Sequence, residues 1–180
     1  MTYIFRMIFR FKHKSVIIFI CILLISACKN ENTETSSNTN TYDEIKITSK
    51  DIDAIKYTEY ALSNLSEKIT NDWLNFNELN NQIEILKKGD LAFFNDENEI
   101  LTAFILDLKE QIPENINTPS IQARLTALET AIFKLEGINN LKNLNKETII
   151  TYIKDVLVSH SNLFLQINKK LEKDSQKIEK

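Results

Sequence analysis

The sequence predicts an all-α fold: an up-down-up-down four-helix bundle whose first and last helices are longer than the two between them. Three observations predict it. The 180-residue chain contains only two glycines and two prolines, apolar side chains recur at helical spacing between these four residues, and 43% of all residues are apolar, enough for the core of one domain. Because the glycines and prolines separate the periodic stretches, we interpret them as marking helix ends.

The first predicted helix runs from about Thr48 to residue 88, which is about 40 residues or roughly 60 Å. Thr48 and Asp51 have the spacing of a helix cap, and Gly89 suits the left-handed residue that ends a helix. Thr58 and Asp72 interrupt an otherwise regular heptad stripe. The apolar members of that stripe are Ile55, Leu62, Ile69, Phe76 and Ile83, with Leu65, Leu79 and Leu86 between them.

Three more helices are predicted, joined by short loops that make neighbours antiparallel. The second and third are shorter than the first. The amino-terminal half of the first helix and the carboxy-terminal half of the fourth therefore overhang, and we expect them to pair as a two-helix stalk. The predicted ranges are Asp90 or Asp96 to Gln111, Pro119 to Glu136, and Asn145 or a neighbouring residue to about Ser175, with a frayed tail over 176–180.

Residues 1–27 have the composition of a secretory signal peptide. Four basic residues between positions 6 and 14 precede an apolar run over 16–25, which ends in Ser26 and Ala27. The apolar run is about ten to twelve residues long, whereas a helix that spans a bilayer needs roughly 20. A permanent transmembrane anchor is therefore the less favoured alternative.

The residues Ile25-Ser26-Ala27-Cys28 resemble the lipobox of bacterial lipoproteins. The resemblance implies that the Cys28 thiol receives a diacylglycerol, that residues 1–27 are removed, and that the new amino terminus is acylated with a fatty chain such as palmitate. The alternative is an incidental buried or disulfide-bonded cysteine. It is less favoured because Cys21 would leave with the signal peptide and no partner cysteine would remain.

A lipid anchor of this kind would place the protein at the outer membrane. Each buried methylene contributes about 0.8 kcal/mol, so two or three acyl chains hold a protein firmly. Lys29, rather than Asp, follows the cysteine, and in the lipoproteins that this segment resembles Asp there favours retention in the inner membrane. Which face of the outer membrane carries the domain is left open.

Residues 28–47 are predicted to be a flexible tether between the lipid and the folded domain. From Asn30 to Tyr42 the chain has no aliphatic residue and consists mainly of Asn, Thr, Ser and Glu. Such a segment cannot bury enough apolar surface to offset the entropy lost on ordering. The helical domain is therefore predicted over residues 48–175.

The charge balance argues against a polyanionic partner. The whole chain has 22 basic and 25 acidic residues, and removing residues 1–27 leaves 18 basic residues, so the mature net charge is about −7. Nucleic acid and anionic lipid surfaces both require a basic footprint. We expect contact with the membrane through the lipid anchor and no binding of nucleic acid.

The sequence also argues against the cofactors that helical bundles often hold. Residues 28–180 contain no methionine and one histidine, His160. Di-iron bundles use Glu-x-x-His pairs, but Leu157 stands three residues before His160, and a zinc site needs several Cys or His ligands. We therefore expect no metal and no cofactor.

Three residues are candidates for a structural or interaction role. His160 lies on the apolar face of the fourth helix and is interpreted as a core or boundary residue, with a catalytic base as the alternative. Arg124 is expected to form a bidentate ion pair with Asp107 or Glu110, or alternatively to bind a carboxylate ligand. Trp73 is interpreted as a core aromatic rather than a residue that stacks on a ligand.

These observations predict a non-catalytic envelope lipoprotein whose helical domain serves as a binding or scaffold module for another envelope protein. One alternative is a carrier of a small apolar ligand held between the helices, which a deep pocket beside Trp73 or Phe94 would favour. The other is an accessory to an envelope enzyme.

Overall fold

The computed structural model describes residues 45–95, 98–138, 141 and 144–176, and this part of the chain is all-α, as predicted. Its regular structure consists of six α-helices and two short 3₁₀ turns, without a strand in those ranges. The helices are α1 (Ser49–Asp53), α2 (Asn64–Thr70), α3 (Leu74–Lys87), α4 (Asn98–Glu110), α5 (Pro119–Ile138) and α6 (Lys146–Ser175). The predicted signal peptide, Cys28, most of the tether and residues 177–180 lie outside the described residues.

The longest helix, α6, is the element around which the others are arranged. Its most extensive partner is α5, and it also contacts α1, α2 and the 3₁₀ turn Glu114–Ile116. The apolar stripe of the fourth helix faces this core, with the exception of Ile149, which is half-buried in the first turn. The sequence predicts that stripe as Ile149, Ile153, Val156, His160, Leu163, Ile167 and Leu171. The buried residues of α6 are Ile153, Val156, Leu157, His160, Ser161, Leu163, Ile167 and Leu171.

The predicted third and fourth helices are confirmed within two residues at each end. Pro119 opens α5, and the Asn145 side chain caps α6 by accepting a hydrogen bond of 2.8 Å from the amide of Thr148. Gly137 does not end α5, because the helix continues to Ile138, which is buried. The second helix, predicted from Asp90 or Asp96 to Gln111, is described over Asn98–Glu110, and a 3₁₀ turn over Ala92–Asn95 takes the place of a helix starting at Asp90.

The prediction of one helix over residues 48–88 is wrong. This region forms three helices, α1 to α3, and residues 55–63 between α1 and α2 are not helical. We call residues 55–63 the strap. Its backbone is hydrogen-bonded to side chains of α6, and the Ser63 hydroxyl caps α2 by accepting from the Ser66 amide at 3.2 Å. The four-helix bundle with a two-helix stalk is not confirmed. The stalk requires a continuous helix over the amino-terminal half of residues 48–88, and the strap interrupts that half.

The start of the domain is fixed to both α3 and α6. Asp51 in α1 accepts a hydrogen bond of 2.8 Å from the Thr48 amide, as the spacing predicted, and forms an ion pair of 2.7 Å with Lys146 at the first turn of α6. The Lys146 ammonium, together with Thr48, lowers the pKa of Asp51 to about 2. Ile47 and Ile52 are buried beside this pair and belong to the core.

Gly89 ends α3 in the left-handed conformation that the sequence predicts for it. Its φ is +92°, and its amide donates a 2.8 Å hydrogen bond to the carbonyl of Leu86. A Cβ atom at this position would lie 2.9 Å from the carbonyl oxygen of Ile47 and 3.0 Å from backbone atoms of Thr48. The glycine is therefore required both by the turn and by the close approach of the chain before α1.

Gly89→Ala is expected to lower the free energy of unfolding by about 1–2 kcal/mol, since an alanine in the left-handed region is strained and its methyl group meets backbone. Urea unfolding followed by circular dichroism measures this. Gly137→Ala is the matched control: it lies inside α5 with nothing within 4 Å of its added Cβ, so alanine there should stabilise by about 0.5–1 kcal/mol. Equal effects of the two substitutions would contradict the close approach at Gly89.

No helix within the described ranges is both long enough and apolar enough to cross a membrane.

Candidate functional site

The candidate site is a polar cluster where α6, α3 and the strap meet, and His160 is at its centre. His160 is 8% exposed, and its Nε2 lies 2.8 Å from Oδ1 of Asn80 in α3. Because a carboxamide oxygen can only accept, the imidazole donates and Nε2 carries the proton. Burial, assisted by the charge of Lys87 and opposed by that of Glu59, lowers the pKa of His160 to about 4. The ring is therefore neutral at pH 7.

An ion-pair network connects the strap to α3 beside this histidine. The Lys87 ammonium contacts the carboxylate of Glu59 in the strap and that of Glu84 one turn earlier in α3, the latter at 2.7 Å. The hydrogen bond from Lys87 lowers the pKa of Glu59 below its ordinary value. Burial disfavours the charged form of Lys87, but its bonds to the two carboxylates outweigh this and raise its pKa.

Two side chains of α6 hold the strap by its backbone. The Ser161 hydroxyl accepts from the amide of Tyr60 at 2.8 Å and donates to the carbonyl of Thr58 at 2.9 Å. Asn168 repeats the pattern: its oxygen accepts from the Ser63 amide at 2.9 Å, and its nitrogen donates to the Ala61 carbonyl at 2.8 Å. Each side chain thus satisfies one amide and one carbonyl, as a neighbouring β-strand would.

The spacing of these two side chains matches the geometry of an extended chain. Ser161 and Asn168 are seven residues apart, which is about 10.5 Å along a helix at 1.5 Å per residue. The strap groups that they bind are three residues apart, which is about 10 Å in an extended chain. A seven-residue step on α6 therefore covers about the same length as a three-residue step on the strap.

The adjacent residues His160 and Ser161 are bonded to different elements. The imidazole is bonded to Asn80 in α3, whereas the hydroxyl is bonded to the strap. Nucleophilic catalysis needs the base to be hydrogen-bonded to the nucleophile, and this pair is not arranged in that way. Across the described part of the chain, no group of three or more His, Cys, Asp or Glu side chains is placed to hold a metal ion.

Trp73 is a core residue that ties α3 to α4. It is 1% exposed, and its indole Nε1 donates a 2.9 Å hydrogen bond to the carbonyl of Leu108. Its ring stacks on that of Phe76, with the ring centroids 4.7 Å apart. The centroid of Phe76 lies 5.7 Å from that of Phe164, which in turn lies 4.4 Å from the centroid of the His160 ring. A continuous row of four rings therefore runs from α4 to the polar cluster.

The ion pair predicted for Arg124 does not form. Arg124 is exposed on α5, and in the described residues it pairs with neither Asp107 nor Glu110. The ion pair between α4 and α5 is instead made by Lys109 and Glu129, whose charged atoms are 2.8 Å apart. Arg124 is five residues before Glu129, which is about 140° around the helix axis, so its side chain leaves α5 in a direction away from α4.

The structure adds five residues to the cluster that sequence reasoning missed: Ser161, Asn168, Asn80, Glu59 and Lys87. One signal could have revealed the first two, because each directly follows a member of the apolar stripe of the fourth helix and they stand seven residues apart. The other three could not be found in this way, since Asn80 bonds to His160, 80 residues away, and Glu59 bonds to Lys87, 28 residues away. Cys28 lies outside the described residues.

Comparison with known proteins gives no relative for this chain: no family model, no curated protein and no solved structure matches it.

Proposed function

We propose that this chain is a lipid-anchored lipoprotein of the outer membrane whose helical domain is a non-catalytic binding or scaffold module for another envelope protein. The observation that carries the proposal is the order of segments: Ile25-Ser26-Ala27-Cys28, then a polar stretch, then Ile47, a buried core residue near the start of the described domain. About 18 residues separate Cys28 from Ile47, which allows a reach of up to roughly 60 Å when extended.

The contacts of the polar cluster support a binding module more than an enzyme. Ser161 and Asn168 are both engaged in holding the strap, Asn80 is bonded to His160, and Lys87 is bonded to two carboxylates. These groups satisfy one another, and their arrangement fixes the strap and α3 on α6. Such an arrangement stabilises a surface that a partner could recognise.

The packing around two aromatic residues weighs against the alternative of a small-ligand carrier. Trp73 and Phe94 were the positions beside which a pocket was expected, and they are 1% and 0% exposed. So little accessible surface leaves almost no solvent-sized space beside either ring. An apolar ligand beside either ring would have to displace core side chains, at the cost of close packing.

Cys28→Ser is expected to abolish lipidation of the protein. In a bacterial host that lipidates such proteins, cells are labelled with an alkyne analogue of palmitate and then fractionated. The unsubstituted protein should carry the label and sediment with membranes, whereas Cys28→Ser should lose the label, because the thiol is the proposed acceptor of the diacylglycerol. Cys21→Ser is the matched control and should behave as the unsubstituted protein.

Mass spectrometry of the purified protein gives an independent result. An intact leader, or an unmodified thiol at Cys28 in protein from the native host, would overturn the proposed anchor. The binding role is tested separately by crosslinking in intact cells: an envelope partner should be captured with the unsubstituted protein, and capture should fall with the Cys28→Ser form, which lacks the lipid, at equal amount. Capture of no envelope protein would overturn the scaffold role.

A further inference from the structure

The strap is held by hydrogen bonds from α6 and by an ion pair whose carboxylate can be protonated. At one side, Ser161 and Asn168 of α6 bind its backbone; at the other, Glu59 of the strap is paired with Lys87 of α3. His160 immediately precedes Ser161 in α6 and bonds to α3 through Asn80. The charged groups that act on His160 are Glu59 from the strap and Lys87 from α3. The backbone clamp, the ion pair and the histidine therefore occupy one junction of three elements.

We propose that this junction is an acid-operated latch: protonation of His160 and Glu59 releases the strap from α6 and α3 while the helical core stays folded. The strap carries half-buried apolar residues, among them Ile55, Tyr57 and Leu62, that pack against the core. Release exposes these side chains together with the core surface that they cover. The latch thus converts a fall in pH into a new apolar surface near the start of the domain.

Electrostatics gives the direction of the effect. With the strap docked, burial and then the Lys87 charge lower the pKa of His160 to about 4 against the opposing charge of Glu59, and the bond to Lys87 lowers the pKa of Glu59. Glu59 binds a proton more tightly once its bond to Lys87 is broken, and His160, which stays on α6, does so once the opened junction admits water to its ring. Linkage then requires that lower pH favours release: the His160 contribution is lost as the pH falls from about 6.5 to about 4, and the Glu59 contribution is lost below its ordinary pKa.

The strap lacks the regular backbone bonds of its neighbouring helices. The carbonyls of Thr58 and Ala61 and the amides of Tyr60 and Ser63 are instead held by side chains of α6. A helix, in contrast, holds each residue by bonds within its own backbone. Segments with few buried contacts and exposed backbone bonds open first in native proteins. An unfavourable charge at His160 therefore acts on an attachment that opens without the unfolding of α5 or α6.

Hydrogen exchange of the full chain in detergent tests the latch. Exchange is measured by mass spectrometry between pH 7 and pH 4, corrected for the intrinsic dependence on pH, and strap peptides are compared with peptides of α5. We expect protection of the strap amides, including Tyr60 and Ser63, to fall at least tenfold over this range while α5 protection is unchanged. Constant strap protection, or parallel loss in the strap and α5, would overturn the proposal.

Two substitutions identify the titrating groups. His160→Gln keeps a donor to Asn80 but does not titrate, so strap protection should vary much less between pH 6.5 and pH 4. Glu59→Gln should loosen the strap already at pH 7, whereas Glu67→Gln, an exposed carboxylate in α2, should change nothing. If His160→Gln does not fold, the NMR titration of His160 in the unsubstituted protein decides: a midpoint near 6.5 with the strap still protected would sink the latch.

Discussion

Trp73→Ala is expected to lower the free energy of unfolding by about 3–5 kcal/mol, the usual cost of removing a large aromatic side chain from a core. The indole is 1% exposed and stacks on Phe76 with ring centroids 4.7 Å apart. Its removal also deletes the hydrogen bond to the Leu108 carbonyl, which connects α3 to α4. Because the row of rings continues through Phe164 to His160, the cavity would also loosen the support of the polar cluster.

Urea unfolding followed by far-ultraviolet circular dichroism measures this loss, since the chain has a single tryptophan and the variant has no indole fluorescence. Trp73→Phe separates the two contributions: it keeps a stacked ring but removes the donor, so it should cost about 1–2 kcal/mol. Leu74→Ala is the control at the next position, where the side chain is 70% exposed, and it should change stability by less than about 0.5 kcal/mol. A loss at Trp73→Ala as small as that at Leu74→Ala would show that the indole is not a core residue.

Local signals were sufficient to predict α5 and α6. Pro119 and Asn145 act within one turn of the residues that they start or cap, and the apolar period between these ends is that of a helix. Gly89 was predictable for the same reason, because the requirement for a positive φ arises from the turn itself. Helix ends and turns that depend only on residues close together in the sequence were therefore predictable.

The strap could not be predicted, because the groups that decide its conformation are distant in sequence. Ile55 and Leu62 keep their heptad spacing and do pack against the core, so apolar periodicity alone does not distinguish an extended segment from a helix here. Their backbone neighbours bond to Ser161 and Asn168, which are 101–107 residues away. Leu65 shows the error directly: the long helix would bury it, whereas it is 47% exposed.

Of the candidate site, the sequence predicts one buried residue, His160, but not the contacts around it. His160 was identified as a core histidine from its place on the apolar face of the fourth helix, and it is buried. Its behaviour, however, depends on Asn80, Lys87 and Glu59, which reach it from α3 and the strap. With one continuous helix over 48–88, Glu59 and Lys87 would be 28 residues and about 42 Å apart. The ion pair exists because the chain reverses between α2 and α3, so that α3 runs back along α6 past the strap.

Asn168→Ala is expected to release the carboxy-terminal half of the strap and to lower the free energy of unfolding by about 2–3 kcal/mol. The side chain accepts from the Ser63 amide and from the Ser66 hydroxyl, at 2.9 Å and 2.7 Å, and donates to the Ala61 carbonyl. A typical hydrogen bond contributes about 0.5–1.5 kcal/mol, and water can replace part of it at the exposed partners. Urea unfolding gives the total, and hydrogen exchange at Ser63 reports the local opening.

Two further variants distinguish the clamp from a general effect of substituting α6. Gln166→Ala removes a half-buried amide two residues earlier on the same helix, and it should leave both the stability and the exchange at Ser63 within about 0.5 kcal/mol of the unsubstituted protein. Asn168→Asp keeps the acceptor but loses the donor, so Ser63 should stay protected while the contact at the Ala61 carbonyl is lost. In Asn168→Ala the Ser161 hydroxyl still accepts from the Tyr60 amide, so this amide should keep part of its protection. Equal exchange at Ser63 in Asn168→Ala and Gln166→Ala would mean that α6 does not hold the strap through this side chain.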